Sequence, residues 1–223
     1  MNLSIIIPVF NEVQTIADIV ERVVAVPLEK EIILVDDGSS DGSADVVESL
    51  ISGQIKAFHH KVNRGKGAAI LTGFEAAAGE VFVVQDADLE YDPQDFIRLI
   101  EPIKTGSADV VYGVRSLGSQ KPVMRWGNQF VTWITNLLYG QHLKDMETCY
   151  KMMRREIALS LDLECRGFDV EAEITAKILR SGFSIHELPI SYNARYDNKK
   201  LTPLDGLPTT RALWKYRRWN PAE

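Results

Sequence analysis

The sequence predicts an α/β fold, a single three-layer α/β/α domain with a mostly parallel, Rossmann-like central sheet. Through the first half of the 223 residues, short apolar runs alternate with segments whose apolar residues recur at helical spacing. Such alternation is typical of βαβ units, whose strands lie parallel. The composition, 45% hydrophobic and 25% charged, is that of a globular protein able to bury a sizeable core.

The first half supplies the alternating elements. Its first apolar run, Leu3–Pro8, has the length of a buried strand, and Thr15–Val24 places its apolar residues on one helical face. The remaining elements repeat this order. The further predicted strands are Glu31–Val35, Gln54–His59, Val81–Gln85 and Ala108–Gly113, and the further predicted helices are Ser43–Ile51, Gly67–Ala78 and Gln94–Ile103.

The second half departs from this alternation. Apolar residues at helical spacing predict a helix through Trp126–Leu138, whereas Tyr150–Met153 alternates only loosely. The other predicted elements are a helix at Asp169–Arg180, a strand at Phe183–Ile190 and a last helix at Pro208–Trp219. Because no repeat or linker separates a second domain, we expect one domain over residues 1–201, with the basic, aromatic C-terminal helix of residues 202–223 as part of it.

Charge and cysteine content indicate which partners and which cellular compartment to expect. The net charge is −6, yet the segment from Arg195 to Trp219 carries seven basic residues against two acidic ones. That excess suggests an anionic partner, a diphosphate or a lipid headgroup, although a solvated basic helix explains it equally well. No nucleic-acid partner is expected. Two cysteines, no basic leader and no apolar run of about 20 residues predict a cytoplasmic protein, soluble or peripheral on the inner face of the cell membrane.

Two carboxylates end the predicted strand at Val81–Gln85. Asp86 and Asp88 are two residues apart, so on an extended backbone their side chains share one face, and Glu90 continues this register if the extension persists. Converging carboxylate oxygens suit Mg²⁺ or Mn²⁺, which leave coordination sites open for phosphate oxygens. The alternative is an acidic turn that leads into the next helix.

A second acidic strand end, VDDGSSDGS, lies upstream. A capped turn explains its serines and glycines but not two adjacent carboxylates, and we favour ligand binding for Asp37. At the first strand end, PVFNE supplies Pro8, the aromatic Phe10 and Glu12. Because ligands of parallel sheets bind beyond the carboxyl ends of the strands, these strand ends predict a crevice for a nucleoside diphosphate and a metal.

Six ordered motifs carry a family resemblance. IIPVFNE, VDDGSSDGS, NRGKGAA, QDADLEYDP, DMETCYK and ELPISY, between Leu3 and about Leu201, resemble family-2 glycosyltransferases of the GT-A fold. The resemblance is strongest to the polyprenyl-phosphate sugar synthases, whose best-known branch is the dolichyl-phosphate mannosyltransferases. It implies metal-dependent transfer of a hexose, with inversion, from a donor of the GDP-mannose or UDP-glucose type to a polyprenyl phosphate.

The resemblance also assigns roles to residues. It implies nucleoside binding by Pro8, Phe10, Glu12, Val35 and Asp37, diphosphate and metal binding by Asp86, Ala87 and Asp88 with Glu90 as a further metal ligand, and phosphate contacts from Arg115, Arg195 and Lys200. Three features depart from the branch. Phe10 replaces a Tyr, Glu90 replaces a Gln or Ser, and the segment from Arg195 to Lys200 is one residue shorter.

The acceptor decides whether a base is needed. A polyprenyl phosphate is already anionic near neutral pH, since the second pKa of a phosphate is about 6. A hydroxyl on a soluble glycan, protein or small molecule would need a carboxylate to take its proton. Asp145 and Glu147 in DMETCYK are then the candidates, and with Asp88 they form the predicted catalytic set; fixing the acceptor loop is their alternative role. A sugar-nucleotide pyrophosphorylase is disfavoured, because PVFNEVQT is neither glycine-rich nor basic.

Three further features are ambiguous in the sequence. Lys66 in NRGKGAAI either approaches a phosphate or is a surface lysine at a helix start, and His59 and His60 are interpreted as structural. The last helix carries Arg211, Lys215 and Arg218 near tryptophans, which suits a membrane interface. The apolar stripe of Trp126–Leu138 either walls a groove for a lipid chain or packs on the sheet.

Overall fold

A computed structural model describes residues 1–195 and 206–221. The strands of this part of the chain are β1 Leu3–Val9, β2 Lys30–Asp36, β3 Ile55–His59, β4 Val81–Val84, β5 Val110–Arg115, β6 Lys151–Arg154 and β7 Ile185–Ile190. Its α-helices are α1 Ile16–Val24, α2 Ser43–Ser49, α3 Lys66–Ala76, α4 Phe96–Lys104, α5 Pro122–Tyr139, α6 Arg155–Ser160, α7 Val170–Arg180 and α8 Gly206–Tyr216.

The strands form one mixed sheet in the order β3-β2-β1-β4-β6-β5-β7. The neighbours from β3 to β4 run parallel, as do β5 and β7, which confirms the predicted mostly parallel α/β sheet. The exception is β6, which pairs antiparallel with both β4 and β5. The loose alternation around Tyr150–Met153 does not predict this four-residue strand.

The core lies between the sheet and the helices packed on it. Every side chain of β4 is buried, and β1 contains one run of five fully buried residues, Leu3–Ile7. Continuous apolar runs of this kind are expected of parallel strands covered on both faces. A smaller cluster joins α5, α7 and α8 through residues that include Val131, Ala172 and Leu213. The C-terminal helix therefore packs on α5 and α7.

Helix α5 does not bury its apolar stripe against the sheet. Its inner face is formed by Val131, Thr132 and Thr135. Ile134 and Leu138 of the predicted stripe pack against the cluster of α5, α7 and α8. The stripe residues Trp126, Phe130, Trp133 and Leu137 are instead 56–70% exposed. The packing alternative is therefore wrong for these side chains. None of the described helices is both long and apolar enough to cross a membrane.

Candidate active site

A cavity of about 550 Å³ opens at the carboxyl ends of β1, β2 and β4, where the sequence predicts the donor site. Most of the predicted nucleotide-sugar residues line it: Pro8, Phe10, Glu12, Asp37, Asp86, Ala87, Asp88, Arg115 and Arg195. Val35 is not among the lining residues, because its side chain is fully buried in the core. Lys200 lies outside the described residues.

Asp86 and Asp88 follow β4 on one wall of the cavity. Desolvation beside the cavity, and then the negative charges of Asp86 and Glu90, raise the pKa of the Asp88 carboxyl to about 7. Carboxylates crowded in this way repel one another, and a divalent cation relieves that repulsion. The donor set of Asp86 and Asp88 therefore fits Mg²⁺ or Mn²⁺.

Glu90, the predicted third ligand, is turned to other partners. The predicted extended register ends earlier, because β4 stops at Val84, Ala87 and Asp88 form a turn, and Leu89 has a φ of 64°, in the left-handed region. The Glu90 carboxylate accepts hydrogen bonds from the Tyr192 hydroxyl at 2.7 Å and from the Arg195 amide at 2.8 Å. Within residues 1–195 and 206–221, no three His, Cys, Asp or Glu side chains are grouped to hold one metal ion. We reassign Glu90 to fixing the segment that follows β7.

Asp37 anchors the loop that precedes α3. Its two carboxylate oxygens accept hydrogen bonds from the backbone amides of Arg64, at 2.9 Å, and Gly65, at 2.7 Å. Gly38 has a φ of 73°, and an added Cβ would lie 2.7 Å from backbone atoms of Val62 and Asn63. The acidic turn after β2 and this loop are therefore in close contact, and both border the cavity.

Arg115 and Asp145 form a buried pair behind the cavity wall. The Asp145 carboxylate accepts hydrogen bonds from Arg115 Nε at 2.7 Å and Nη2 at 2.8 Å, and from the Arg115 amide at 3.1 Å. The Asp145 side chain is 2% exposed and is not part of the cavity lining. This geometry supports Asp145 as the residue that orients Arg115 rather than as a base.

Glu147 is placed differently from Asp145. It lines the cavity, and its Oε1 atom is buried with no hydrogen-bond partner among the described residues. Burial raises the pKa of the Glu147 carboxyl to about 6, against the opposing effect of Arg115 and Lys151. A carboxyl group with these properties is suited to exchange a proton near neutral pH. Of the two predicted candidates for a base, Glu147 is the one that lines the cavity.

Lys66 is a cavity residue that the sequence pattern leaves ambiguous. Its side chain is 14% exposed, and its ammonium lies 2.8 Å from Asp86 Oδ1 and 3.0 Å from Glu171 Oε1. Burial alone would lower the pKa of Lys66, but the two carboxylates raise it well above its usual value. The surface interpretation is therefore wrong. The only sequence signal is the NRGKGAA motif, since Glu171 lies in the middle of an ordinary helical pattern.

Arg195 closes one side of the cavity against the first strand end. Its guanidinium forms a two-pronged ion pair with the Glu12 carboxylate, with both N–O distances at 2.9 Å. Two residues earlier, the Asn193 amide donates to the Glu90 carbonyl oxygen at 2.8 Å. Two residues predicted to bind the donor, Glu12 and Arg195, thus pair with each other.

The cavity extends from the carboxylates to the exposed apolar face. Val123, Gly127 and Phe130 of α5 line it, as do Leu207 and Thr210 of α8. Phe130 also stacks on Trp133, with 6.1 Å between the ring centroids. One continuous space therefore connects an acidic, metal-fitting end with a surface of large apolar side chains.

Three curated relatives share this pattern of sequence. An undecaprenyl-phosphate 4-deoxy-4-formamido-L-arabinose transferase of Pseudomonas fluorescens (strain SBW25) is 33% identical over 84% of this chain and 55% of its own length. A polyprenol monophosphomannose synthase of Mycolicibacterium smegmatis is 28% identical over 96% of this chain and 85% of its own. A dolichol-phosphate mannosyltransferase of Pyrococcus furiosus is 31% identical over 87% of this chain and 57% of its own. The chain thus spans little more than half the length of the first and third.

The solved structures and the family model agree with the sequence motifs. A glucosyl-3-phosphoglycerate synthase from Mycobacterium tuberculosis, in complex with Mn²⁺, uridine diphosphate and phosphoglyceric acid, superimposes with a TM-score of 0.75. It is 21% identical, over all of this chain and 80% of the other, and the likeness confirms the GT-A fold. The model of glycosyl transferase family 2 matches residues 4–161. With its fold, its acidic strand ends and this match, the chain belongs to glycosyltransferase family 2.

Proposed function

We propose that this protein transfers a hexose, with inversion, from a nucleotide-diphosphate sugar of the GDP-mannose or UDP-glucose type to a polyprenyl phosphate at the cytoplasmic face of a membrane. The observation that carries the proposal is the single cavity that joins Asp86 and Asp88 to the apolar side chains of α5 and α8. A charged donor and an acceptor with a long apolar chain need these two surfaces on either side of the reacting atoms.

The donor end supplies oppositely charged groups. Asp86 and Asp88 would hold the Mg²⁺ or Mn²⁺, which neutralises charge on the departing diphosphate when it is bound. Arg195, paired with Glu12 at 2.9 Å, and Arg115, held by Asp145, add two guanidinium groups on the cavity wall. Asp37 and Phe10 border the part of the cavity assigned to the nucleoside. Charge stabilisation of this kind favours departure of the nucleoside diphosphate.

The acceptor end requires no dedicated base for a phosphate acceptor. The acceptor oxygen, anionic near neutral pH, attacks the anomeric carbon from the face opposite the leaving group, so that one bond forms as the other breaks. The apolar chain of a polyprenyl phosphate would lie between Val123 and Phe130 of α5 and Leu207 of α8, which are 65%, 56% and 69% exposed. Three relatives named as polyprenyl- or dolichol-phosphate sugar transferases support this choice of acceptor.

The same face is proposed to attach the protein to the membrane. Trp126 and Trp133, which are 70% and 58% exposed, have the amphipathic rings that favour the headgroup region. The variant Trp126→Ser/Trp133→Ser should lose most binding to vesicles that contain anionic lipid. The matched control is Leu159→Ser on α6, a side chain 45% exposed elsewhere on the surface. Equal vesicle binding by the double variant would contradict the assignment of this face.

A second candidate function is transfer to a hydroxyl group of a soluble acceptor. The observation in its favour is Glu147, whose buried carboxyl lines the cavity and has a pKa raised to about 6 by burial. Under this alternative, Glu147 takes the proton of the attacking hydroxyl. The structural similarity to a synthase crystallised with phosphoglyceric acid concerns the fold alone.

A turnover assay decides between the two acceptor classes. The protein is incubated with UDP-glucose or GDP-mannose, with Mn²⁺ or with a chelator, and with either a polyprenyl phosphate or a panel of soluble acceptors that includes phosphoglycerate. The proposal expects a lipid-linked hexose only where Mn²⁺ and polyprenyl phosphate are both present. Transfer to a soluble hydroxyl, with no lipid-linked product, would replace the first function with the second.

A further inference from the structure

We propose that His60 is a positioning residue for nucleotide binding, because its hydrogen bond fixes the orientation of the Asp37 carboxylate plane beside the cavity. The inference rests on the proposed function, in which Asp37 binds the nucleoside. The sequence alone does not indicate this role, since His60 has no partner at metal-ligand spacing and a structural role is the simpler interpretation.

The imidazole ring joins two layers of the fold. Its Nδ1 atom lies 2.6 Å from Asp37 Oδ1, just beyond the end of β2, and its Nε2 atom lies 2.9 Å from Thr72 Oγ1 on α3. The His60 side chain is only 6% exposed. An ionised carboxylate can only accept a hydrogen bond, so the Nδ1–H group of His60 donates to Asp37. In the neutral ring, Nε2 then accepts a hydrogen bond from the Thr72 hydroxyl. The ring is held at both ends.

The hydrogen bonds to Asp37 are distributed unevenly between its oxygens. Oδ1 accepts from both His60 Nδ1 and the Arg64 amide, which uses both of its lone pairs. Among the described residues, Oδ2 accepts only from the Gly65 amide, at 2.7 Å. Since Asp37 lines the cavity, the remaining lone pair of Oδ2 is the one available to a nucleoside hydroxyl or amino group. Without His60, only the two backbone amides of Arg64 and Gly65 would hold the plane of the carboxylate.

The loop held by Asp37 is itself part of the cavity wall. Asn63 and Gly65 line the cavity, and a Cβ added at Gly65 would lie 2.2 Å from the Arg166 carbonyl oxygen. The loop is therefore packed closely against Arg166, which limits any movement of the loop together with Asp37. His60 adds a third hydrogen bond, so that the carboxylate is held by a ring and two backbone amides.

The test compares two substitutions that each keep a nitrogen near one ring-nitrogen position with a third substitution that keeps neither. His60→Asn places an amide nitrogen near the position of Nδ1, His60→Gln places one near Nε2, and His60→Leu has neither. The matched control is His59→Asn, which changes the neighbouring histidine, 36% exposed and 3.1 Å from Glu48. Dissociation constants for UDP and for GDP with Mn²⁺ are measured by calorimetry, well below the melting temperature of each variant, and donor KM and kcat are measured alongside.

We expect His60→Leu to weaken binding of the preferred nucleotide about tenfold, the loss of a hydrogen bond to a charged group. His60→Gln should fall near His60→Leu, whereas His60→Asn and His59→Asn should stay within about twofold of the wild type. Donor KM should follow these values while kcat at saturating donor stays constant. If His60→Leu does not fold, the inference is tested by the difference in nucleotide affinity between His60→Asn and His60→Gln. Equal affinities for Asn and Gln would overturn the inference. A wild type that binds neither nucleotide would instead overturn the proposed function.

Discussion

The two ends of the cavity differ in how far the protein satisfies its own groups. At the donor end, the carboxylates of Asp37, Asp86 and Glu90 each contact a basic side chain or a backbone amide of the fold. At the acceptor end, α5 exposes large apolar side chains such as Trp126 and Leu137, which are 70% and 68% exposed. The fold holds the charged groups of the donor end in place, whereas the acceptor end exposes apolar side chains to solvent.

The difference follows from the ligands proposed for each end. A small, charged donor is recognised by groups held at fixed positions, because binding energy depends steeply on hydrogen-bond geometry. A lipid chain or a membrane is recognised by apolar area, which has no preferred direction. We therefore expect single changes at the donor end to have large effects, and single changes at the acceptor end to have small, cumulative ones.

The largest expected effect is at the metal-fitting carboxylates. Asp88→Asn should lower turnover at least 100-fold at saturating Mn²⁺, because a neutral amide is a weak ligand for a hard cation. Folding should be preserved, since burial and neighbouring charges already penalise the ionised carboxylate in the folded protein. Mn²⁺ binding is measured by calorimetry and the fold by circular dichroism. Turnover like that of the wild type would remove Asp88 from the proposed metal site.

The buried pair behind the cavity tests stability. Asp145→Ala should lower the free energy of unfolding by about 3–5 kcal/mol, because it leaves the Arg115 charge buried without its partner. The matched control is Asp109→Ala, which breaks the more exposed pair with Arg154 and should cost less than about 1 kcal/mol. Denaturant unfolding measures both. Equal losses would mean that the Arg115–Asp145 pair is no more important than a surface pair.

Glu147 sharpens the comparison because it lines the cavity that joins the two ends. Its pKa in the folded protein, about 6, exceeds the ordinary glutamate value of 4.5, so the folded state disfavours its charge. Ionisation of Glu147 therefore costs the wild type about 2 kcal/mol of stability as pH rises from about 4.5 to above 6, and this contribution is absent from Glu147→Gln. Denaturant unfolding at several pH values should find the variant more stable than the wild type at about pH 8 and equal to it below about pH 4.

Activity of the same variant separates the acceptors. With polyprenyl phosphate, Glu147→Gln should keep most of its turnover, because that acceptor needs no base. With a hydroxyl acceptor, kcat should fall at least 100-fold. A large loss with polyprenyl phosphate would give Glu147 a role in the chemistry that the proposed function does not include.

The smallest expected effect for each residue changed is in the basic stripe formed by Arg211 and Lys215 on α8 and by Arg218 just after it. Reversing Arg211, Lys215 and Arg218 to Glu should weaken binding to anionic vesicles, by about 1 kcal/mol for each lost positive charge near the surface. Lys215 should contribute least, because Glu164 already lies 2.6 Å from its ammonium. Vesicle binding should also weaken as salt rises. Lys104→Glu, on α4, is the control, and an equal effect there would mean that the stripe has no special role.

The sequence by itself determined the fold class and the edge of the sheet at which the proposed donor site lies. Alternating apolar runs require a buried parallel sheet, and carboxylates at the strand ends must then meet at one edge. Asp37, Asp86 and Asp88 can therefore be assigned to that edge from the order of residues alone. The family followed from motifs that are local in the chain. These features can be predicted from the sequence because each depends only on a short segment of the chain.

Only the tertiary structure decided which residues far apart in the chain pair with each other and which stay available to a ligand. It engaged the Glu90 carboxylate in hydrogen bonds with the Tyr192 hydroxyl and the Arg195 amide. It also joined Asp145 to Arg115 and Lys66 to Glu171, and left α5 exposed. These contacts span 30 residues or more in the chain. Whether a carboxylate is paired or available, and whether an apolar helix face is covered, depends on what packs against it, and no local pattern records that.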